Sequence, residues 1–377
     1  MDYKADWPEA RERWAALWEG RFIERPCIVV RAPLPGAVAS PVAPADPWQR
    51  WIDPEWVVAA TRARLEATYF GGEALPAAWQ QASWLLCYQA PVRLRENTIW
   101  IDPIPYDPEH PPAFSLDPGS WGVRSYERLL RKAAEELGPK GVLLQPSGGL
   151  PPDDLLSLMI GTENFLMAIH DNREWLTATL ARMGTDRMAL YRRFRDMVRL
   201  HAEHWYGVGW DIFWGPEPFL STQSDVSCML SPQQYEQIVL PELERCGREY
   251  GRLWYHLDGP GAICHLPLLL RQEYLSVIQW VPGAGAAPNG PAWLDLYRRV
   301  QEAGKIIHIS LPPRDIEPLV RKLDPCRVCY STRCATPAEA DELLAAAKRW
   351  VAARVRGRNR SSAGSRAGRR GGGGGER

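Results

Sequence analysis

His256 and Asp258 are the residues whose types and spacing could most directly do chemistry. They lie in LWYHLDGPG (253–261), where residues 252–255 predict a short apolar strand that the Gly-Pro-Gly at 259–261 ends. Residues two apart in an extended chain point to the same face. An imidazole and a carboxylate on one face at a strand end can bind a metal ion or exchange protons with a substrate. The alternative is a histidine that hydrogen-bonds its neighbour and shapes the turn.

Further candidates lie at or near the ends of other predicted strands. Asp225, in the segment QSDVS, could orient a substrate or cap a local turn. Cys334, beyond the strand predicted at 327–331, could supply a thiolate that binds a metal ion, or it could be a cysteine without a functional role. Aromatic and polar residues near strand ends could contact a ligand or belong to the core and its turns. These substrate-binding candidates are Trp100, Trp214, Glu217, Trp280 and His308.

These residues need a scaffold that gathers strand ends in one place. Short apolar strands alternate with helices from the strand 27–32 to the helix 337–354. These elements include helices at 151–169 and 232–250 and a strand at 210–214 that is followed by a loop. About eight such units in roughly 350 residues predict an α/β fold, a closed (β/α)8 TIM barrel, with a doubly wound open sheet as the second choice. The irregular, Trp- and Pro-rich stretch 73–118 is predicted to be an excursion over the barrel mouth.

The composition argues against several classes of protein. The chain has 377 residues with 45 basic and 45 acidic side chains, so it lacks the basic surface that nucleic acid requires. No apolar run reaches a membrane span, no signal peptide is visible, and the cysteines are scattered, which predicts reduced thiols in the cytoplasm. Residues 1–354 are predicted to form one barrel domain, and the Arg- and Gly-rich residues 355–377 a disordered basic tail.

Several short segments, taken in order, resemble one known family. They are RP at 25–26, NTIW at 97–100, GTEN at 161–164, QSD at 223–225, LSP at 230–232, VLP at 239–241, HLDG at 256–259 and CATP at 334–337. Their order and spacing resemble the uroporphyrinogen decarboxylase (URO-D) superfamily over residues 14–350. The chain resembles its uncharacterised and corrinoid-linked methyltransferase-like members more closely than the haem-pathway decarboxylase. The resemblance implies a (β/α)8 barrel with its site at the carboxyl ends of the strands.

Two departures from the family pattern narrow what the resemblance implies. The haem-pathway enzyme carries an Arg-rich segment, R-Q-A-G-R, that grips substrate carboxylates, whereas residues 31–36 read RAPLPG with one arginine. A porphyrinogen with many carboxylates would lack the main group of arginines that binds it.

The second departure concerns the zinc ligands. The methyltransferase branch holds zinc with a His-x-Cys pair and a further Cys, and the matching positions are His256, Asp258 and Cys334. The implied ligands leave one open zinc position.

The resemblance implies an enzyme, and three functions stay open. The first is zinc-dependent methyl transfer between a corrinoid or another methyl donor and a thiol, with His256, Asp258 and Asp225 as catalytic residues. The second is a metal-free carboxy-lyase for a carboxylated or tetrapyrrole-like small molecule, in which His256 and Asp258 exchange protons. The third is a non-catalytic barrel that binds a corrinoid or a partner protein. Any corrinoid would arrive on a separate protein; a homodimer is a further hypothesis, and no nucleic-acid or membrane partner is expected.

Overall fold

The structure is a computed structural model that describes residues 1–36, 40–80, 84–95, 98–146, 149–199 and 212–367. Short strands alternate with helices along most of the chain. The strands are β1 (Cys27–Pro33), β2 (Thr68–Gly72), β3 (Ala77–Gln80), β4 (Val92–Leu94), β5 (Ile99–Ile101), β6 (Leu143–Pro146), β7 (Leu220–Gln223), β8 (Leu253–Asp258), β9 (Leu275–Val281), β10 (Ile306–Ser310) and β11 (Val328–Arg333). The helices are α1 (Trp7–Trp18), α2 (Pro47–Ile52), α3 (Pro54–Glu66), α4 (Trp84–Cys87), α5 (Trp121–Leu137), α6 (Pro152–Ile160), α7 (Thr162–Asp171), α8 (Arg173–Arg199), α9 (Pro232–Ile238), α10 (Leu240–Tyr250), α11 (Leu266–Leu270), α12 (Leu294–Glu302), α13 (Ile316–Val320) and α14 (Pro337–Ala367).

A seven-stranded sheet with the order β2-β1-β11-β10-β9-β8-β7 forms the centre of the fold. Its neighbouring strands are parallel except β1 and β2, which are antiparallel. β3 and β6 form a separate parallel pair, and β4 and β5 an antiparallel hairpin. The predicted α/β fold is confirmed. Closure into a (β/α)8 barrel is not shown, because in the described part of the chain β2 pairs with the outer edge of β1 and the sheet ends at β2 and β7.

The segment before β8 differs most from prediction. The predicted strand 210–214 is not found: residues 210 and 211 lie outside the described residues, and 212–214 have no regular structure. The strand of this region is β7, which lies within the predicted loop. Its sequence, LSTQ, is short and has small polar residues, so it carries only a weak strand signal. This shift changes which residues stand at a strand's carboxyl end.

Two helices predicted as continuous are interrupted, and the predicted excursion is partly built of strands. The helix predicted at 151–169 divides into α6 and α7 at Gly161, whose φ of 86° lies outside the right-handed helical range. The helix predicted at 232–250 divides at Val239 into α9 and α10. The stretch 73–118 contains β3 and the β4–β5 hairpin.

The two faces of the central sheet are distinguished by what they contact. On the outer face, the Tyr235 hydroxyl of α9 donates a hydrogen bond of 2.9 Å to the hydroxyl of Tyr255. On the inner face, His308 is buried and accepts a hydrogen bond from the Trp254 indole at 3.3 Å. Because side chains alternate along a strand, Trp254 and His256 share the inner face, and Tyr255 points to the outer one.

A row of polar side chains crosses the inner face. The register of β7, β8, β9 and β10 aligns Gln223, His256, Gln279 and His308, which we call the polar row. Register partners in a sheet point to the same side, so all four lie on the inner face. Strands buried on both faces are normally near-continuous apolar runs. Four aligned polar side chains therefore mark a part of the sheet that does more than pack.

A buried ion-pair cluster lies at the amino-terminal end of β1. Glu73 is fully buried and binds both terminal nitrogens of Arg25, at 2.6 and 3.0 Å, and accepts from the Ile28 amide at 2.7 Å. Arg13 of α1 also pairs with Glu73. Burial opposes ionisation, but Arg25 and then Arg13 outweigh it and hold the pKa of Glu73 below its ordinary value. The arginine of the RP segment therefore has a structural partner here; Glu73, Arg25 and Arg13 are named the Glu73 cluster.

Three predictions about the whole chain have different outcomes. All eight cysteines are free thiols, as predicted. Among the described residues, no helix combines the length and the apolar character that crossing a membrane requires. α14 is traced to Ala367, and residues 368–377 lie outside the described part, so the division into a domain at 1–354 and a basic tail at 355–377 stays a prediction.

Candidate functional site

Three side chains that could hold a metal ion meet at the carboxyl ends of β7 and β8. One oxygen of Asp225, one ring nitrogen of His256 and one oxygen of Asp258 all lie within 4.8 Å of one another. Asp225 is exposed, and the other two are half-buried. These residues, named the acidic triad, combine an imidazole with two carboxylates, all of them ordinary ligands of divalent cations.

β8 places two members of the triad. It continues to Asp258, three residues beyond the predicted strand 252–255, and ends at Gly259, whose φ is 74°. The amide of Gly259 donates to the carbonyl of Val281 at 2.8 Å, which ties this strand end to β9. The Trp254 ring stacks on His256 with centroids 6.5 Å apart. His256 and Asp258 share one face, as predicted from their spacing.

Gln279 of β9 orients the imidazole. The Nδ1 of His256 is hydrogen-bonded to the side-chain oxygen of Gln279. An amide oxygen only accepts, so this assignment puts the ring proton on Nδ1 and the lone pair on Nε2. Histidines that bind metals usually have a partner of this kind on the second nitrogen. Sequence analysis missed Gln279, although a glutamine within the apolar strand LSVIQWV was a signal.

Two further carboxylates lie behind the triad. Asp153 and Asp154 are in the first turn of α6 and are both buried. The Gln223 side-chain amide donates to Asp154 at 3.0 Å and to Asp225 at 2.7 Å, so it links the buried pair to the triad. The Ser224 hydroxyl donates to Asp153 at 2.5 Å. Sequence analysis missed both aspartates; the available signal was two adjacent acids at the start of an apolar helix.

Three carboxyl groups of this region, those of Asp225, Asp154 and Asp153, have pKa values above that of an ordinary aspartate. Although part of Asp225 is exposed, the surrounding side chains remove its carboxyl partly from water, and this desolvation, followed by repulsion from Asp154 and Asp258, raises the pKa of Asp225 to about 7. Burial also raises the pKa of Asp154, against the hydrogen bonds that it accepts. For Asp153, burial and then the charge of Asp154 raise the pKa well above its ordinary value. Negative charge here is therefore costly, and either protons or a cation would relieve it.

Cys334 lies outside the triad. It follows β11, which is three strands from β8 in the sheet order, or about 14 Å along the sheet. Its side chain lines another cavity together with Arg31, Arg64 and Arg333. Burial and then the charge of Glu339 raise the pKa of the Cys334 thiol. A thiol that keeps its proton beside arginines is a poor partner for a cation, and the structure puts Asp225 rather than Cys334 beside His256.

Three of the predicted substrate-binding residues stand apart from the triad. Trp100 is exposed on β5. Trp280 is fully buried, with its ring 4.9 Å from that of Trp293. His308 is fully buried and, besides accepting from Trp254, contacts the Ser331 hydroxyl through Nε2 at 2.8 Å. His308 therefore belongs to the polar row as a hydrogen-bonded core residue.

Trp214 and Glu217 lie at the opposite end of the sheet from the triad. Glu217 forms an ion pair of 3.3 Å with Arg252, the residue before β8. The Trp18 indole of α1 donates to the carbonyl of Trp214 at 2.8 Å. Sequence analysis placed both residues at a strand exit because it assigned the strand to 210–214. The strand of this region is β7, which begins after them, so both stand at an amino-terminal end.

The similarity of this chain to a known protein is found in its fold. No protein-family model matches the chain. No curated protein sequence matches it significantly. Its structure is similar to that of a methyltransferase from Methanosarcina mazei, with 13% sequence identity and a TM-score of 0.55, over 90% of this chain and 98% of that chain. The two proteins therefore share a fold over nearly their whole lengths.

Proposed function

We propose that the chain is an enzyme of the URO-D superfamily that transfers a methyl group to a thiol, with zinc held by the acidic triad. The observation that carries the proposal is the convergence of Asp225, His256 and Asp258 at the carboxyl ends of adjacent strands. The structural neighbour is a methyltransferase, which favours methyl transfer among the reactions that the resemblance implies. The methyl group would come from a corrinoid on a separate protein or from another donor.

The proposal includes a (β/α)8 barrel. Six strands of the central sheet are parallel, and the β3–β6 pair adds two more. In chain order this pair falls between β1 and β7, the outermost parallel strands. A contact bridges the gap beside β7, where Gln223 donates to Asp154 of α6, the helix that follows β6. On the other side, the chain leads from β2, which pairs with β1, directly to β3. Eight parallel strands closed in this order would place the triad at the mouth.

The residues present fit a zinc ion. Donors at about 2.0–2.2 Å from one tetrahedral ion stand roughly 3.5 Å apart, so atoms already within 4.8 Å need only small side-chain adjustments. Two carboxylates would balance the two charges of the ion. The exposed position of Asp225 leaves the site open toward solvent, as a catalytic rather than a structural metal site requires.

Each residue of the site has a role in this proposal. Zinc bound there would supply a Lewis acid that lowers the pKa of a thiol substrate. His256 would bind through Nε2, because Gln279 holds the proton on Nδ1. Gln223 fixes Asp225 through its hydrogen bond of 2.7 Å, and the buried Asp154 adds negative charge that attracts a cation. Polar side chains that are themselves held in place keep the donors in position for binding.

A metal-free carboxy-lyase is the second candidate, and the arrangement of Asp225 favours it. Loss of carbon dioxide from a carboxylate leaves a carbanion that needs a proton. Asp225 is open to solvent, lies beside His256, and has a pKa raised to about 7, so it could deliver that proton at neutral pH. His256 or bulk water would then restore the proton.

Metal analysis of purified protein tests the proposal. After treatment with a chelator and reloading with zinc, we expect one zinc per chain, and loss of that zinc in His256→Ala, Asp258→Ala and Asp225→Ala. Cys334→Ala is the matched control and should keep its zinc. The ligand set implied by the resemblance includes Cys334 and therefore predicts that this variant loses its zinc. A wild-type protein that binds no zinc, or triad variants that bind it normally, would contradict the proposal.

Activity assays separate the two candidate reactions. Methylcobalamin and a panel of thiols should give zinc-dependent loss of the methylcobalamin spectrum. Release of carbon dioxide from small carboxylic acids by chelator-treated protein would favour the lyase. A folded, zinc-loaded protein that turns over neither panel would favour a non-catalytic binding barrel.

A further inference from the structure

We propose that a cleft between the helices α6, α8, α9 and α10 binds the alkylammonium group of a small primary amine. The cleft has a volume of about 210 Å³. This is below the roughly 300–1,000 Å³ of pockets for drug-sized ligands, so the cleft suits a ligand of a few non-hydrogen atoms. The inference does not rest on the proposed function, because neither zinc nor methyl transfer enters it.

A buried carboxylate stands at the floor of the cleft. Asp153, in the first turn of α6, is 2% exposed and lines the cleft. Its Oδ2 accepts a hydrogen bond from the Ser224 hydroxyl at 2.5 Å, and within the described ranges it forms no ion pair. Burial and then the charge of Asp154 raise the pKa of Asp153. A buried carboxylate is costly when it has no cation beside it, so a positive charge is what this floor lacks.

The second carboxylate of the cleft is already paired. Glu242 of α10 accepts from Arg187 at 3.0 Å and from the Nε of Arg245 at 3.0 Å. A Cβ at Gly184 would overlap both Glu242 and Arg245, so glycine at this position lets the pair pack directly against α8. The positive charge of Arg245 is therefore held at Glu242, and the charge of Asp153 is left without a partner.

Apolar residues complete the inside of the cleft. Pro152 of α6, Leu180 of α8 and Ile238 of α9 line it and are buried. Such walls can contact a short alkyl chain, while the carboxylate accepts charged N–H donors. An inorganic cation would instead need several oxygen ligands, and of the two cleft carboxylates only Asp153 is without a guanidinium partner. An alkyl chain that ends in an ammonium group matches both parts of the lining.

The cleft opens to solvent on the helix layer, apart from the strand ends that carry the acidic triad. Exposed residues of α8 and α9 form its rim, namely Thr177, Ala181, Thr185 and Gln237. On the inside, Ser224 links the floor to the triad, because its hydroxyl donates to Asp153 and the next residue in the chain is Asp225. An amine can therefore enter the cleft without occupying the triad.

Calorimetric titration of the full chain with n-butylammonium chloride tests the inference. We expect butylammonium to bind, and 1-butanol to bind at least about tenfold more weakly, because the alcohol has no charge to pair with Asp153. Ethylammonium should also bind about tenfold more weakly, because it buries two fewer methylene groups. No binding of butylammonium, or equal binding of butylammonium and 1-butanol, would overturn the inference.

Two substitutions locate the bound amine in the cleft. Asp153→Asn should weaken butylammonium binding about tenfold or more, because it removes the charge at the floor. Ala181→Phe should abolish binding, because an aromatic ring at the rim obstructs the cleft. Ala189→Phe is the matched control: Ala189 is exposed on the same helix, outside the cleft, so this variant should bind as wild type does.

Circular dichroism confirms that each variant is folded. Ala181 is exposed, so Ala181→Phe decides the matter even where Asp153→Asn does not fold. Wild-type affinity in Ala181→Phe, or in folded Asp153→Asn, would overturn the inference.

The acidic triad is the other place where a cation could bind, and Asp258→Ala distinguishes it from the cleft. Asp258 belongs to the triad and does not line the cleft, so this variant should keep its affinity for butylammonium. Loss of amine binding in Asp258→Ala would place the amine at the triad and overturn the inference. Amine binding that depends on Asp153, in a protein that binds no zinc, would sustain the cleft and reject the proposed function alone.

Discussion

Carboxylates lie at both ends of the central sheet, and the charged groups around them differ between the two ends. At the amino-terminal end, Glu73 is enclosed by Arg25 and Arg13, which keep it charged with a lowered pKa. At the carboxyl end, Asp225 has other aspartates as its charged neighbours, and its pKa rises to about 7. A carboxylate is therefore paired with positive charges at the amino-terminal end and placed beside other carboxylates at the carboxyl end.

We expect this difference to separate residues that stabilise the fold from residues that bind a ligand. A buried carboxylate with two arginines and a backbone donor is part of the structural framework, because removing any partner leaves an uncompensated charge. Repulsion among clustered aspartates lowers the stability of the fold, and such destabilising clusters are typical of catalytic and ligand-binding sites. The following changes test this division.

Glu73→Ala should produce the largest loss of stability. It leaves the buried Arg25 and the half-buried Arg13 without their carboxylate, which we expect to lower the free energy of unfolding by about 3–5 kcal/mol. Urea denaturation at pH 7 measures it. Glu19→Ala is the control, since its ion pair with Arg21 is half-exposed and should contribute less than about 1 kcal/mol. Equal losses in the two variants would remove the distinction between the two ends of the sheet.

Gln279→Ala should weaken zinc binding by about 10–100-fold with little change in unfolding, because it frees the imidazole of His256 without removing a ligand. Competition against a chromogenic chelator measures the affinity. Gln272→Ala, which removes a hydrogen bond to a helix carbonyl outside the site, should leave it unchanged. Unaltered zinc affinity in Gln279→Ala would show that the polar row does not support the triad.

Zinc affinity should depend on pH around the raised pKa of Asp225. Below about 7 the carboxyl is protonated and the proton must leave before a cation binds, so affinity should fall by up to about tenfold per pH unit. Above that pH Asp225 is already deprotonated, so its contribution to the pH dependence of zinc affinity should disappear. Chelator competition from pH 6 to pH 8.5 measures the profile. A profile without a change of slope near neutrality would contradict the assignment of Asp225 as a ligand.

The smallest expected effect is a gain in stability for Asp225→Asn in zinc-free protein. A carboxyl whose pKa is raised by folding stabilises the fold below its ordinary pKa, and this contribution is lost as pH rises through about 7. Asparagine has no such loss, so the variant should melt slightly above wild type at pH 8 and close to it at pH 4. Melting curves at both pH values measure the difference. A variant that is less stable at pH 8 would mean that the charged form of Asp225 is favoured in the fold.

The scaffold can be predicted from the sequence better than the site can, because the site depends on the order of the strands in the sheet. Alternation along β8 was enough to put His256 and Asp258 on one face. Which strands lie beside β8 depends on pairing between distant segments, so the approach of Asp225 and the distance of Cys334 were not predictable from spacing. The role of Gln279 could not be predicted for the same reason. A polar residue within an apolar strand is easy to notice in the sequence, but its hydrogen-bond partner is known only once the strand register is known.

The polar row also has a consequence for how the chain finds its native pairing. A slip of one residue in β8 would turn His256 toward the helices and present Tyr255 to the inside, which would cost the hydrogen bonds to Gln279 and Tyr235 together. The side chains to which the proposal assigns chemistry would therefore also fix the register of the strands that carry them. Substitutions in this row are expected to lower the yield of correctly paired chains on refolding, even where the free energy of unfolding changes little.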